Sequence, residues 1–256
     1  MTGYRRELET ALAACSAAGR IQLDGRQTVT GLERKPDNSP VSDIDRRCER
    51  TIIDMVAAAF PSDGVLGEEG GARDGTSGRR WIVDPLDGTR PYLRGIPTYS
   101  ALLALEEDGV PVVGVIHLAA LGHTCWACRG GGAFLDGAPI RVSQVPLLSQ
   151  ATGSGLGFIE RRGSPQSAAL LSCMAAWDYA YGFMDAYTYV CVASGRLELC
   201  VNLLDKPWDC AAAACIVTEA GGAFSDISGN ASVHNGSFVI SNGVVHKEAL
   251  DHFSTI

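Results

Sequence analysis

The chain has 256 residues, of which 46% are hydrophobic and 20% charged, and its formal net charge is −8. This size and composition are typical of a soluble globular protein with one large core or two packed halves, and they exclude a disordered chain. The negative charge and the lack of long Lys/Arg runs argue against a nucleic-acid partner, because phosphate backbones are bound by clustered positive charge.

Two helices are predicted at the start of the chain, at residues 4–19 and 48–60, because apolar residues recur there at helical spacing. The polar, Pro- and Gly-containing segment 30–40 predicts an exposed loop that leads through residues 41–45 into the second helix. Short β-rich runs separated by Gly then predict a mostly antiparallel sheet. These strands are expected at residues 81–83, 100–105, 110–118, 124–127 and 133–135.

The second half of the chain, from about residue 146, alternates apolar strands with helices. Helices are predicted after Ser164-Pro165, at about residues 186–194, and from about residue 208 to the glycines at 221 and 222. We therefore expect an α+β or α/β protein with layered helices and sheets. Its N-terminal half would be residues 1–145 and its C-terminal half residues 146–256, packed as one compact unit.

No apolar segment approaches the roughly 20 residues that a membrane span needs, and no signal peptide is apparent, so we expect a cytoplasmic protein. The nine cysteines are scattered through apolar runs, which is typical of buried, reduced thiols. Cys125 and Cys128 have a spacing that can bind zinc or perform redox chemistry. No second pair completes a zinc site, so a role for these two thiols is not favoured.

The strongest chemical signal is the segment Asp84-Pro85-Leu86-Asp87-Gly88-Thr89. A predicted strand ends there in two carboxylates, which can converge because Pro restricts the backbone and Gly permits a tight turn. Adjacent carboxylates repel each other unless a cation lies between them, and their oxygen atoms favour Mg²⁺, Mn²⁺ or Ca²⁺ over zinc. The N–H groups of Gly88 and Thr89 can bind phosphate, and the Thr89 hydroxyl can orient water. The alternative interpretation is a turn stabilised by Asp without any ligand.

Three further groups of acids occur where a purely structural explanation is less satisfactory. Glu68 and Glu69 lie between two glycines, Asp209 precedes an Ala-rich helix, and Asp43 and Asp45 precede the second predicted helix. Taken singly, the glutamates can be a solvated surface pair and Asp209 a helix N-cap. Their joint occurrence with the Asp-Pro-Leu-Asp-Gly-Thr segment favours one shared site.

These motifs resemble those of the inositol monophosphatase family, in order and in spacing, from the first helices to about Gly229. The residues that carry the resemblance are Gly67-Glu68-Glu69, Trp81 to Thr89, Pro207-Trp208-Asp209-Cys210-Ala211-Ala212 and Glu219-Ala220-Gly221-Gly222. The resemblance implies the layered αβαβα sandwich of the inositol monophosphatase and fructose-1,6-bisphosphatase type, a homodimer, and the hydrolysis of a small-molecule phosphate ester. Inhibition by lithium is a further family trait.

The resemblance also implies roles for individual residues. The metal ligands would be Glu68, Asp84, the Leu86 carbonyl group, Asp87 and Asp209. Glu69, Thr89 and Asp45 would support the attacking water, and Gly88 with Thr89 would bind the phosphate. Two or three Mg²⁺ ions per subunit, replaceable by Mn²⁺, would polarise the phosphate, lower the pKa of a bound water and neutralise the leaving alkoxide.

Within the family, the chain most resembles the histidinol-phosphate phosphatase branch. The stretch from Asp87 through Arg90 to Pro97 and the Asp at position 185 ahead of Val192–Glu198 carry this likeness. An Asp there suits a substrate with an ammonium group, because charge-assisted hydrogen bonds favour an amino alcohol over a neutral cyclitol. The alternative for Asp185 is a helix cap or a buried ion pair.

Two positions depart from the expected pattern and keep other substrates open. Met184 replaces the Gly of that branch, and Asn202 occupies a position where the family commonly has an acid within reach of the substrate. We expect L-histidinol phosphate as substrate, with Asp185 and Asn202 in contact with it. The alternatives are inositol 1-phosphate or a related cyclitol or sugar phosphate and, in a different class, a noncatalytic protein that binds metal or phosphate.

Overall fold

The computed structural model describes residues 3–26, 31–34, 40–182 and 185–254. Most of the predicted loop at residues 30–40, and Met184, lie outside the described residues. The helices are α1 (Arg5–Gly25), α2 (Asp43–Ala59), α3 (Thr89–Arg94), α4 (Pro165–Ala175), α5 (Asp185–Ala193), α6 (Pro207–Glu219) and α7 (His246–Asp251). None of these helices is both long enough and apolar enough to cross a membrane.

The strands form a large and a smaller sheet, together with a two-stranded ribbon. Their bounds are β1 (Glu33–Arg34), β2 (Pro40–Val41), β3 (Gly64–Gly67), β4 (Gly71–Arg73), β5 (Arg79–Asp87), β6 (Ser100–Glu107), β7 (Val110–Leu118), β8 (His123–Cys128), β9 (Ala133–Leu135), β10 (Ala138–Ile140), β11 (Thr152–Leu156), β12 (Tyr179–Ala180), β13 (Leu199–Asn202), β14 (Ala223–Ser225) and β15 (Phe238–Ser241). The eight-stranded sheet has the order β10-β9-β8-β7-β6-β5-β3-β4, and only its β3–β5 pair is parallel. The five-stranded sheet has the order β12-β11-β13-β15-β14.

Three hydrophobic cores show how the layers stack. The first lies between the pair α1 and α2 and one face of the eight-stranded sheet. The second surrounds α5 and α6, which lie between the two sheets, and the third joins the outer face of the five-stranded sheet to α4 and α7. Strand β6 shows the alternation that this requires, because Leu103 and Leu105 point into the first core while Leu102 and Ala104 point into the second. The predicted αβαβα sandwich is therefore confirmed.

Two helix boundaries differ from the sequence prediction for identifiable reasons. Helix α1 extends to Gly25 rather than to residue 19, because the buried side chain of Gln22 donates hydrogen bonds to the carbonyl groups of Pro85 and Ser100. Helix α2 begins at Asp43 with Ser42 as its N-cap. Asp45 therefore lies in the first turn of the helix, where its carboxylate accepts the Ser42 backbone N–H at 2.8 Å.

Strand β5 extends beyond the predicted residues 81–83 and ends at Asp87, so it includes both carboxylates of the motif. Its pairing with β6 is interrupted after Asp84 and resumes where Asp87 pairs with Ser100. This irregularity carries Pro85, which lacks the N–H needed for a regular ladder, so the strand can pass through the motif without ideal pairing.

Cys125 and Cys128 both lie in β8, and their side chains enter different hydrophobic cores. Residues three apart on a strand point to opposite faces, so these thiols cannot share a metal ion or a disulfide. The strands of the two sheets come from residues 64–140 and 152–241. Because α6 packs against both sheets, the division of the chain near residue 145 stays a prediction.

Candidate metal centre

Acidic side chains from several elements converge on one cavity of about 420 Å³. Strands β3 and β5 run parallel and pair Gly67 with Val83, so the next residues, Glu68 and Asp84, lie side by side at the carboxyl ends of these strands. The Glu68 N–H also donates to the Val83 carbonyl oxygen at 3.2 Å. Asp209 reaches the same cavity from the first turn of α6, whose N-terminal end lies above the sheet.

Asp84, Asp87 and Asp209 form the centre of this cluster, with one carboxylate oxygen from each lying within 4.8 Å of the others. One oxygen of each acid is held by a donor of the protein. Asp84 accepts the Leu86 N–H at 3.0 Å, Asp209 accepts the Lys206 N–H at 2.7 Å, and Asp87 accepts the Ser100 hydroxyl at 3.0 Å and the Ala186 N–H at 2.9 Å. Each carboxylate is thereby oriented by hydrogen bonds within the protein.

The electrostatics of the cluster is unfavourable without a cation. Burial raises the pKa of Asp84, Asp87 and Asp209 well above the usual range of a carboxyl group. Repulsion adds to this effect, chiefly from Glu68 on Asp84, from Asp185 on Asp87, and from Asp205 on Asp209. Oxygen donors with surplus negative charge fit a hard divalent cation, which would restore the charged form of all three acids.

Asp45 and Thr89 meet at one side of the cluster. The Thr89 hydroxyl lies 3.2 Å from both the Asp45 carboxylate and the Leu86 carbonyl oxygen, and it can donate its hydrogen to one of them at a time. Burial raises the pKa of Asp45, and hydrogen bonds from Ser42 and Thr89 oppose this rise. Gly88, with φ of 77°, adopts the left-handed conformation that lets α3 start directly after the strand.

Asp45 does not itself line this cavity, and neither does the predicted site residue Glu69. It follows Glu68 in the turn between β3 and β4, and its backbone N–H donates to the carboxylate of Glu49 at 2.8 Å. Glu49 belongs to α2 and is only 4% exposed. It was not predicted from the sequence, although its place four residues after Asp45 puts both acids on the same face of the helix.

Another part of the cavity wall is formed by Asp185 and Asn202, both predicted substrate contacts, and by Asp205, which was not predicted. Asp185 begins α5 with φ of 56°, and burial raises its pKa to about 6. A carboxylate oxygen of Asp185 lies beside Gly88, only 3.1 Å from where a side chain at that position would begin. Asp205 precedes a Lys-Pro pair and so resembles a solvated loop residue in sequence, whereas it is buried in the structure.

The comparisons with known proteins agree with this fold and site. The model of the inositol monophosphatase family matches residues 4–256. The chain is 40% identical over 227 residues to a histidinol-phosphatase of Mycobacterium tuberculosis, covering 86% of each chain. It is 38% identical over 240 residues to a histidinol-phosphatase of Chlorobaculum parvum, covering 92% of this chain and 91% of the relative.

The structure superimposes on that of the Thermotoga maritima IMPase with a TM-score of 0.86 and 30% identity, covering 97% of each chain. The family match spans nearly the whole chain, and the sandwich expected from the motifs is present in this neighbour. The chain therefore belongs to the inositol monophosphatase family and is a phosphatase, that is, a phosphoric monoester hydrolase.

Proposed function

We propose that this phosphatase is a Mg²⁺-dependent enzyme that hydrolyses L-histidinol phosphate. The observation that carries the proposal is the placement of two kinds of acid around one cavity. Asp84, Asp87 and Asp209 crowd together in its lining, and Asp185 lies near them, beside the turn at Gly88. The first group suits a cation that binds phosphate, and the second suits a positively charged group on the same substrate.

The metal ligands in this proposal are the carboxylates of Glu68, Asp84, Asp87 and Asp209 and the carbonyl oxygen of Leu86. All five residues line the cavity. Two or three Mg²⁺ ions, or Mn²⁺ in their place, would polarise the phosphate, lower the pKa of a water molecule and neutralise the leaving alkoxide. The residues fit such ions because every donor is an oxygen atom and the acids are otherwise left with strongly raised pKa values.

The remaining residues orient the reactants. The Thr89 hydroxyl and the Asp45 carboxylate are already in hydrogen-bond contact, and together they can hold the attacking water and accept its proton. Glu69 would support this water from the neighbouring turn. The backbone N–H groups of Gly88 and Thr89, where α3 begins, would bind phosphate oxygens. Asp185 would pair with the ammonium group of the amino alcohol.

A second candidate substrate is inositol 1-phosphate or a related cyclitol or sugar phosphate. The observation that favours it is Asn202, a neutral amide at the cavity wall, together with the close structural match to the IMPase of Thermotoga maritima. An uncharged amide suits a hydroxyl-rich substrate, whereas the carboxylate of Asp185 suits an amino alcohol. The homodimer and the lack of a nucleic-acid partner stay predictions.

The test is phosphate release from L-histidinol phosphate, inositol 1-phosphate and β-glycerophosphate, each with Mg²⁺ and with excess chelator. We expect the highest kcat/KM with L-histidinol phosphate and no turnover in chelator. The variant Asp226→Asn serves as a control, because Asp226 is a buried acid outside the cavity. Undiminished turnover in chelator would refute the metal dependence, and equal kcat/KM for all three esters would refute the assigned substrate.

A further inference from the structure

A second buried acid, Asp205, lies in the wall of the substrate cavity in addition to Asp185. It is only 4% exposed, and both of its carboxylate oxygens are hydrogen-bonded. The Tyr189 hydroxyl donates to Oδ2 at 2.5 Å, and the Asn202 amide nitrogen donates to Oδ1 at 2.5 Å. The orientation of this carboxylate is therefore fixed by two side chains that also line the cavity.

Asn202 is committed to holding this arrangement. Its Nδ2 donates to Asp205 and lies 3.3 Å from the Tyr189 hydroxyl, and its Oδ1 accepts the Leu204 N–H at 3.1 Å. The amide thus has little remaining capacity for a substrate. Asn202 therefore holds Asp205, and the acid at this wall lies three residues after the amide.

The two acids of this wall are not balanced by ion pairs within the described residues. Among the described residues, no Lys, Arg or His forms an ion pair with Asp185 or Asp205. One carboxylate oxygen of Asp185 is buried and has no hydrogen-bond partner among the residues that the structure describes. Two neighbouring carboxylates of this kind are stabilised when a ligand brings positive charge and N–H donors.

The positions of the acids assign them to different parts of such a ligand. Asp185 lies beside the turn at Gly88, where the phosphate would bind. Asp205 accepts a hydrogen bond from Tyr189, which lies one helical turn after Asp185 on α5. In L-histidinol phosphate the ammonium group is close to the phosphate ester, and the imidazole ring is one carbon further away.

We propose that Asp205 is a specificity-determining residue that accepts a hydrogen bond from the imidazole N–H of the substrate, and that Asn202 and Tyr189 are the residues that position it. This inference rests on the proposed function. The carboxylate of Asp205 then distinguishes a ring with an N–H donor from an amino alcohol phosphate without a ring. An amino alcohol phosphate without a ring leaves the buried carboxylate without this donor, which disfavours it at the same wall.

The experiment compares Asp205→Asn with the wild type, using kcat and KM for L-histidinol phosphate and for O-phosphoethanolamine, which has the ammonium group but no ring. We expect the ratio of kcat/KM for the two esters to fall by about tenfold or more, mainly through KM, because a charge-assisted hydrogen bond is lost. Tyr189→Phe, which removes only the hydroxyl that holds Asp205, should lower the ratio in the same direction. The control Asp226→Asn removes an equally buried acid, also 4% exposed, and should leave the ratio as in the wild type.

An unchanged ratio in both Asp205→Asn and Tyr189→Phe would overturn the role of Asp205. An equal fall for both esters would do the same, because it would indicate a structural effect on the metal centre. If the wild type prefers L-histidinol phosphate to β-glycerophosphate, the proposed function stands in either case. A wild type without that preference would overturn both proposals.

Discussion

Neutralising Asp205 is expected to reduce the loss of stability with rising pH in the metal-free protein. Burial raises the pKa of this carboxyl from 3.8 to about 7, and repulsion from Asp185 adds to the rise. Hydrogen bonds from Tyr189 and Asn202 oppose it. The folded protein therefore binds this proton more tightly than the unfolded chain, and stability is lost as the pH rises from about 4 to about 7.

The magnitude follows from the two pKa values. A difference between 3.8 and about 7 corresponds to about 4 kcal/mol in total at about 1.4 kcal/mol per pH unit. About 2.5 kcal/mol of this falls between pH 5 and pH 8, because the unfolded carboxyl is already ionised at pH 5 while the folded one is not. The variant Asp205→Asn has no charge to develop, so it should escape this loss.

The assay is urea unfolding of wild type and Asp205→Asn in metal-free buffer at pH 5 and pH 8. The free energy of unfolding of the variant, relative to that of the wild type, should increase by about 2.5 kcal/mol between the two pH values. The amide also changes the hydrogen bonds of Tyr189 and Asn202, which adds an offset that is the same at both pH values. Asp226→Asn is the control. Hydrogen bonds from Asn230 and Asn235 outweigh burial and lower the pKa of the Asp226 carboxyl. The difference in free energy of unfolding between this variant and the wild type should therefore be the same at pH 5 and pH 8. A flat difference for Asp205→Asn would refute the reasoning.

Three further substitutions test the metal centre and the packing above it. Asp87→Asn should abolish phosphate release and also the rise in melting temperature that Mg²⁺ causes. In the wild type this rise corresponds to about 2.7 kcal/mol when Mg²⁺ is present at 100 times its Kd. If scanning fluorimetry shows the same rise in Asp87→Asn as in the wild type, Asp87 is not a metal ligand. Gly67→Ala places a methyl group 2.8 Å from the Glu49 carboxylate and so displaces the turn that carries Glu68. It should raise the Mg²⁺ concentration for half-maximal activity about tenfold or more. An unchanged Mg²⁺ concentration for half-maximal activity would contradict this role of the turn. Gly114→Ala places a methyl group 2.4 Å from the Ala212 carbonyl oxygen, where α6 crosses the sheet. The free energy of unfolding in urea should fall by about 1–3 kcal/mol. A variant as stable as the wild type would show that this contact relaxes freely.

The elements of the fold were predictable where the signal is local. Helical periodicity located α2, the terminal glycines located the end of α6, and short β-rich runs located most strands of the large sheet. The end of β5 was not predictable, because its last residue is held by pairing with Ser100, thirteen positions later. The stacking of two sheets around α5 and α6 came from the family resemblance, since periodicity does not show which sheet a helix face will meet.

The site divides in the same way. The acids of the Asp84–Thr89 segment and Asp209 were predictable from the sequence, because each belongs to a short motif of neighbouring residues. Asp205 was not, since an acid before Lys and Pro looks like a surface residue until the structure places Tyr189 and Asn202 around it. Specificity depends on contacts between α5, β13 and the loop before α6, and these contacts have no fixed spacing along the chain.

Glu49 shows how a motif can be recognised before its cause is known. The acids of the Gly67-Glu68-Glu69-Gly70 turn are flanked by glycines because the turn wraps around the buried carboxylate of Glu49. A side chain at Gly67 would begin 2.8 Å from that carboxylate, and one at Gly70 would begin 2.6 Å from it. Four residues earlier on the same face of α2, Asp45 contacts Thr89. One helix face therefore positions both the turn that carries Glu68, a proposed metal ligand, and the hydroxyl group proposed to orient the water. A shift of α2 would affect both at once.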